Sequence, residues 1–141
     1  MNRRNRLEGV NDVLGNLNEE IQGIENRSMK GLMKAGLRIQ RESQKLAPVL
    51  TGNLKASAYT RRAGEFVRLD TPSSSKAAPK PSGTVPPKRV EIGFTAAYAA
   101  AVHENLESRH ENGQAKYLET ALRENKFKIV NDVRENADVG A

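Results

Sequence analysis

Ala47-Pro48-Val49-Leu50-Thr51-Gly52-Asn53-Leu54 divides this chain into two kinds of structure. Pro48 ends any helix that reaches it, because its ring removes a backbone N–H and pushes the preceding residue out of the right-handed helical region. Thr51-Gly52-Asn53 is turn chemistry. Upstream, Leu7, Val10, Val13, Leu14, Leu17, Ile21 and Ile24, then Leu32, Ala35, Ile39 and Leu46, recur at helical spacing. Downstream, Leu54, Ala56, Ala58 and Thr60 alternate with Lys55, Ser57, Tyr59 and Arg61, the period of a half-buried strand. The stretch is the joint between a helix and a sheet.

Working outward, Asn26-Arg27-Ser28 predicts a break in the long helix, with Asn26 or Ser28 capping a second helix to about Lys45. Gly31 and Gly36 each weaken that helix by roughly 1 kcal/mol relative to Ala. They either admit a close neighbour or are simply tolerated. On the other side, Arg62-Ala63-Gly64-Glu65 can turn the chain so that Phe66-Val67-Arg68-Leu69 pairs with the first strand. Residues 70–87 hold five of the six prolines and four serines, a composition that predicts a disordered loop. Lys88 to Phe94 returns to alternation, with Val90, Ile92 and Phe94 on one face. Ala96 to His103 reads as a short helix, residues 105–113 as a polar loop, and the chain from Lys116 as a last helix on Leu118, Ala121, Leu122, Ile129 and Val133, fading by Asn136.

These elements predict an α+β fold: a long N-terminal helix and a C-terminal helix packed on a small, mainly antiparallel sheet of three to four strands, with a long flexible loop. The 141 residues suit one domain. Within it, residues 1–27 are read as a helical extension, 70–87 as the disordered loop and 136–141 as a flexible tail. Only 37% of the residues are hydrophobic and 4% aromatic, so the core rests on Leu, Ile, Val and Ala, a thin supply that favours support from neighbouring subunits.

The chain has no cysteine, which removes disulfides, thiolate metal sites and Cys nucleophiles. No run approaches membrane-spanning length, and the basic start Met1-Asn2-Arg3-Arg4-Asn5-Arg6 leads into amphipathic sequence, so a soluble protein made in the cytoplasm is expected. Net charge is +6, distributed as +3 over residues 1–54, +5 over 55–92 and −2 over 93–141. A basic middle can attract nucleic acid, complement an acidic protein surface or be no more than a solvated face.

The residues that could carry chemistry do not assemble into a signature. His103-Glu104 begins the zinc-protease pattern, but position 107 is Glu and His110 lies in the polar loop. Glu104, Glu107 and Glu111 have no apolar pocket to set their pKa values apart, as acid/base work requires. There is no nucleophile elbow, phosphate-binding loop or dinucleotide glycine pattern. No cofactor or metal is expected, and no enzymatic activity. Arg61, Arg62, Arg68, Lys76, Lys80, Lys88 and Arg89 are the candidate partner-binding residues. With three Tyr and three Phe, they support at most non-specific DNA contact, which makes a small basic nucleic-acid-associated protein the alternative reading.

The order of the motifs adds a further expectation. A long helix, the Ala-Pro-x-x-Thr-Gly-x-Leu joint, strands, Tyr98-Ala99-x-x-Val102-x-Glu104, a loop and a Leu-Glu-x-Ala-Leu helix resemble the tail-component, or tail-completion, family of long-tailed bacteriophages. The resemblance rests on Pro48, Thr51, Gly52 and Leu54; on Tyr98, Ala99, Val102 and Glu104; and on Gly113, Lys116, Leu118, Ala121 and Leu122, across about residues 28–125. The chain departs from that pattern at Asn105, where many relatives have Gly, and at Lys116-Tyr117, where they have Pro-Phe. The resemblance implies a virion protein of the head–tail junction, assembled in the host cytoplasm and working as a ring against neck, connector or tail-tube proteins. It implies no catalytic residues: Pro48 and Gly52 shape a turn, Leu54 and Leu118 fill a core, and Tyr98 and Val102 seat the short helix on the sheet. In a ring, the basic middle would meet the acidic C-terminal region of the next copy, and the proline-rich loop would face the lumen or the next ring.

Overall fold

The structure, a computed structural model, describes residues 3–48, 53–68, 78–106 and 113–137. Helix α1 (Arg3–Leu46) runs up to the Pro48 joint without interruption. The break expected at Asn26-Arg27-Ser28 is absent. Tertiary contacts offset the weak helix propensity there: Arg27 Nε donates to the Ala137 carbonyl at 2.9 Å, and the Arg27 guanidinium lies 3.7 Å from Glu20. At about 1.5 Å per residue α1 is roughly 66 Å long, and only its second half is covered. Val10, Val13, Leu14, Leu17 and Ile21 are exposed, whereas Met33, Ala35 and Ile39 are buried.

After the joint comes a single helical turn, α2 (Asn53–Ala56), where the alternating pattern predicted the start of a strand. Its geometry is fixed from α1: Gln44 Nε2 donates to the Lys55 carbonyl at 2.9 Å, and Ser57 Oγ closes the turn on the Leu54 carbonyl at 2.7 Å. The sheet comprises β1 (Ala58–Arg62), β2 (Glu65–Val67) and β3 (Glu91–Phe94), antiparallel and ordered β2-β1-β3. Thr60 stands opposite Val67 on one side and Ile92 on the other. Gly64, at φ +79°, makes the hairpin turn.

Helix α3 (Ala99–Glu104) follows β3. The last helical region is divided into α4 (Tyr117–Glu124) and α5 (Lys126–Ala137). The single helix expected from Lys116 is interrupted at buried Asn125, whose side-chain amide donates to the Ala121 carbonyl at 2.8 Å while its backbone N–H donates to that same oxygen. Competition of this kind between side chain and backbone is how Asn interrupts helices.

Both faces of the second half of α1 are used. The sheet lies against one through a polar contact: Thr60 Oγ1 donates to Gln40 Oε1 at 2.6 Å, and Gln40 Nε2 donates to the Ala58 carbonyl at 3.3 Å, with all of these groups buried. Gly36 permits this approach, since a Cβ there would stand 2.9 Å from Thr60 Cγ2 and from Val90 Cγ1. Helix α5 lies antiparallel along another face. Arg38 forks onto buried Asp132 with two bonds of 3.0 Å, and a Cβ on Gly31 would be 2.6 Å from the Asp132 carbonyl oxygen. Both glycines therefore serve close approach.

Candidate functional site

The two motif regions meet in space. Gly113, at φ +92°, sits so close to the joint that a Cβ would lie 2.6 Å from the Ala47 carbonyl and the Pro48 nitrogen. Beside it the Gln114 N–H donates to the Leu46 carbonyl at 2.8 Å, supplying a partner for one of the carbonyls left open at the end of α1. Under this clasp Ala47, Leu54, Ala99 and Tyr117 form a buried cluster, with Phe94, Val102 and Leu118 packed on it. Tyr117 takes an edge-on contact from Phe94 at 4.9 Å, and its hydroxyl donates to the Ala99 carbonyl at 2.8 Å. Burial, reinforced by Tyr98, pushes that hydroxyl's pKa up to about 12.

Leu54 and Leu118 thus contribute to the core as expected. Tyr98 does not seat α3: it precedes the first turn and is 45% exposed, and Ala99 and Val102 make the contact instead. Leu122 lies on the outer side of α4, half in water, while Ala121 faces inward. Thr51, Gly52 and Lys76 lie outside the described residues.

Glu104 belongs to an exposed polar cluster that ties α3 to α4. The Lys116 ammonium donates to it, and this bond, followed by that of His103, holds its carboxyl below the usual range. Lys116 adopts the left-handed conformation (φ 56°), rare for a side-chain-bearing residue, and its N–H donates to the His103 carbonyl at 2.7 Å. His103 Nε2 accepts from the Glu119 N–H at 3.4 Å, so Nδ1 carries the ring proton and donates to Glu104 at 2.8 Å. The His103 ring also packs edge-on to Tyr117. Among the described residues no three His, Asp or Glu side chains are grouped as metal ligands.

The basic residues of the middle segment come together around the hairpin and the described part of the proline-rich loop, but most act within the chain. Arg61 pairs with Glu91 and donates to the Gly83 and Ser82 carbonyls at 3.0 and 2.9 Å. Its hydrogen bond, then that of Tyr59, lowers the Glu91 pKa against the opposing effect of burial. Arg68 donates to the Ala56 and Pro79 carbonyls at 3.0 and 2.7 Å and lies over the Phe66 ring. Arg62 pairs with Glu65 at 2.7 Å, and Lys88 with Glu25 at 3.2 Å. Residues 78–90 hold neither helix nor strand, and Arg61 and Arg68 bind the Ser82, Gly83 and Pro79 carbonyls within them; residues 70–77 of the expected loop lie outside the described residues. An open groove between hairpin and loop is lined by Arg61, Arg62, Phe66, Lys80, Thr84 and Val85.

The site that the sequence left unseen is apolar. Besides the stripe on α1, Phe127 and Val130 on α5 are 80% and 51% exposed. The stripe was legible as helical spacing; nothing in the spacing told that its first half stays exposed among the described residues. No protein-family model, curated protein or solved structure matches the chain. Among the described residues no helix is long and apolar enough to cross a membrane.

Proposed function

We propose that this chain is a structural subunit of a bacteriophage head–tail junction, without catalytic activity, that completes the tail or joins it to the filled head by assembling into a ring. The observation that carries the reading is the clasp. Of the residues on which the resemblance rests, Pro48, Leu54, Ala99, Val102, Gly113 and Leu118 gather at one structural joint, where Gly113 and Gln114 close on Leu46, Ala47 and Pro48 beside Tyr117. Motif residues that build a scaffold, with exposed apolar surface on helices beside it, suit a protein whose work is assembly.

The nucleic-acid alternative draws less support. Arg61, Arg62, Arg68 and Lys88 are occupied by carboxylates and loop carbonyls of the same chain, and phosphate contacts would have to displace those partners. The test is electron microscopy of particles from a phage deleted for this gene. Filled heads beside detached or malformed tails, restored by complementation, are the expected result. Intact infectious particles would reject the reading.

A further inference from the structure

Two apolar surfaces lack a partner among the described residues, and they complement one another. The first is the stripe Val10, Leu14, Leu17 and Ile21 on α1, widened by Val13, with each of these side chains about half or more exposed. At 100° per residue it continues along the helix toward buried Ala35 and Ile39, next to the face that α5 covers at Gly31 and Arg38. The described part of α5 ends at Ala137, beside Arg27. The second surface is the outer side of α5, where Phe127 and Val130 stand one turn apart.

Their charges are opposite. Residues 9–25 contain Asp12, Glu19, Glu20 and Glu25 and no Lys or Arg, and although Glu20 and Glu25 lie near Arg27 and Lys88, Asp12 and Glu19 are opposite in sign to Lys126, Lys128 and Arg134 of α5, which stand against a single exposed acid, Glu135. The lengths also agree: Val10 to Ile21 spans about 17 Å and α5 about 18 Å at 1.5 Å per residue. The two surfaces cannot meet within one chain, because α5 is already bound antiparallel to the other half of the same continuous helix.

We propose that the first half of α1 docks on the outer face of α5 of a second copy. Each copy then gives one surface and receives on the other. The contact is heterologous, and it propagates from copy to copy until it closes as a ring. This deepens the ring reading but is tested apart from it, on the purified protein. Arg3, Arg4 and Arg6 precede the stripe. They supply a charge argument for the competing arrangement, in which two α1 stripes pair antiparallel and the assembly stops at a dimer.

The absence of native cysteine allows a clean experiment. Full-length Leu17→Cys and Val130→Cys proteins are mixed at high concentration under mild oxidation, with Ser82→Cys, exposed and away from both surfaces, as the collision control. The expected result is a mixed Leu17→Cys/Val130→Cys disulfide at least several-fold above the control. The doubly substituted protein should give a ladder of dimers, trimers and larger species. Efficient crosslinking of Leu17→Cys with itself, an internal disulfide in the double variant, or a mixed yield no greater than the control would overturn the proposal. Crosslinking as expected, with a phage deletion that leaves particles intact, would keep this interface and discard the junction role.

Discussion

Replacing Gly31 by Ala should destabilise the protein even though it improves the helix. In an exposed helix interior the exchange gains about 1 kcal/mol. Here the new methyl would sit 2.6 Å from the Asp132 carbonyl oxygen and 2.8 Å from Val133 Cα, both backbone atoms of α5. Since ordinary contacts of carbon with oxygen or carbon lie at about 3.3–4.0 Å, α5 must withdraw by roughly 0.7–1 Å. Overpacking of this kind costs about 1–3 kcal/mol, so a net loss of up to about 2 kcal/mol remains. For a chain of this size each 1 kcal/mol lowers the melting temperature by about 2–4 °C. Urea and thermal unfolding followed by far-UV circular dichroism measure it. Two other glycines of α1 serve as internal standards. A Cβ at Gly15 meets nothing within 4 Å, so Gly15→Ala should raise helicity without lowering the midpoint; at Gly36 the obstructing atoms are side-chain methyls of Thr60 and Val90, which can yield, so the loss should be smaller than at Gly31. If Gly31→Ala stabilises the protein as much as Gly15→Ala, the packing of α5 on α1 described above is wrong.

Three further outcomes follow from named contacts. Arg38→Met leaves the buried Asp132 carboxylate unpaired and should cost about 3 kcal/mol, the lower end for a buried pair because Arg38 keeps part of its side chain in water; Arg38→Met with Asp132→Leu should recover much of that loss, as read by urea unfolding. Tyr117→Phe preserves the ring contacts and removes only the hydroxyl's bond to the Ala99 carbonyl, an oxygen that α3 also uses, for a loss of about 0.5–1.5 kcal/mol, whereas Tyr117→Ala should cost about 3–5 kcal/mol. Glu91 has a folded-state pKa below its ordinary value of 4.5, so its contribution is fully present above that value and fades as pH falls through the lower folded pKa. The gap in urea midpoint between the native protein and Glu91→Gln should therefore be constant above about pH 5.5 and close toward pH 3; a gap independent of pH would contradict the Arg61–Glu91 pairing.

The sequence made the fold class readable because apolar spacing is imposed by burial, and burial follows the period of each element. Val90, Ile92 and Phe94 face the core, and Pro48 ends α1, for reasons local to those residues. What spacing could not supply were features decided by distant partners. Asn26-Arg27-Ser28 stays helical because the far end of the chain reaches Arg27, and Leu54 enters a helical turn because Gln44 holds the next carbonyl. The seven basic residues looked like one surface for a partner. Arg61, Arg62, Arg68 and Lys88 meet carboxylates and carbonyls that only the fold brings near, so Arg61 and Arg68 emerge as internal ties of the described loop residues. Helix spacing likewise marked Val10 to Ile21 without revealing that no element among the described residues buries them.

The clasp of Gly113 and Gln114 on the end of α1 also bears on how the chain folds and varies. It makes everything between Ala47 and Gly113 a closed excursion anchored at its base, sheet included. Closing it requires residues more than sixty positions apart to find each other, which places this contact among the slower events of folding, after the α1 turns that need only local bonds. Once closed, the base is insensitive to the length of the excursion, since each doubling of a loop adds only about 0.6 kcal/mol of closure entropy. Insertions or deletions in the segments between strands can then reshape what the protein presents to its surroundings while the helical frame below keeps its register.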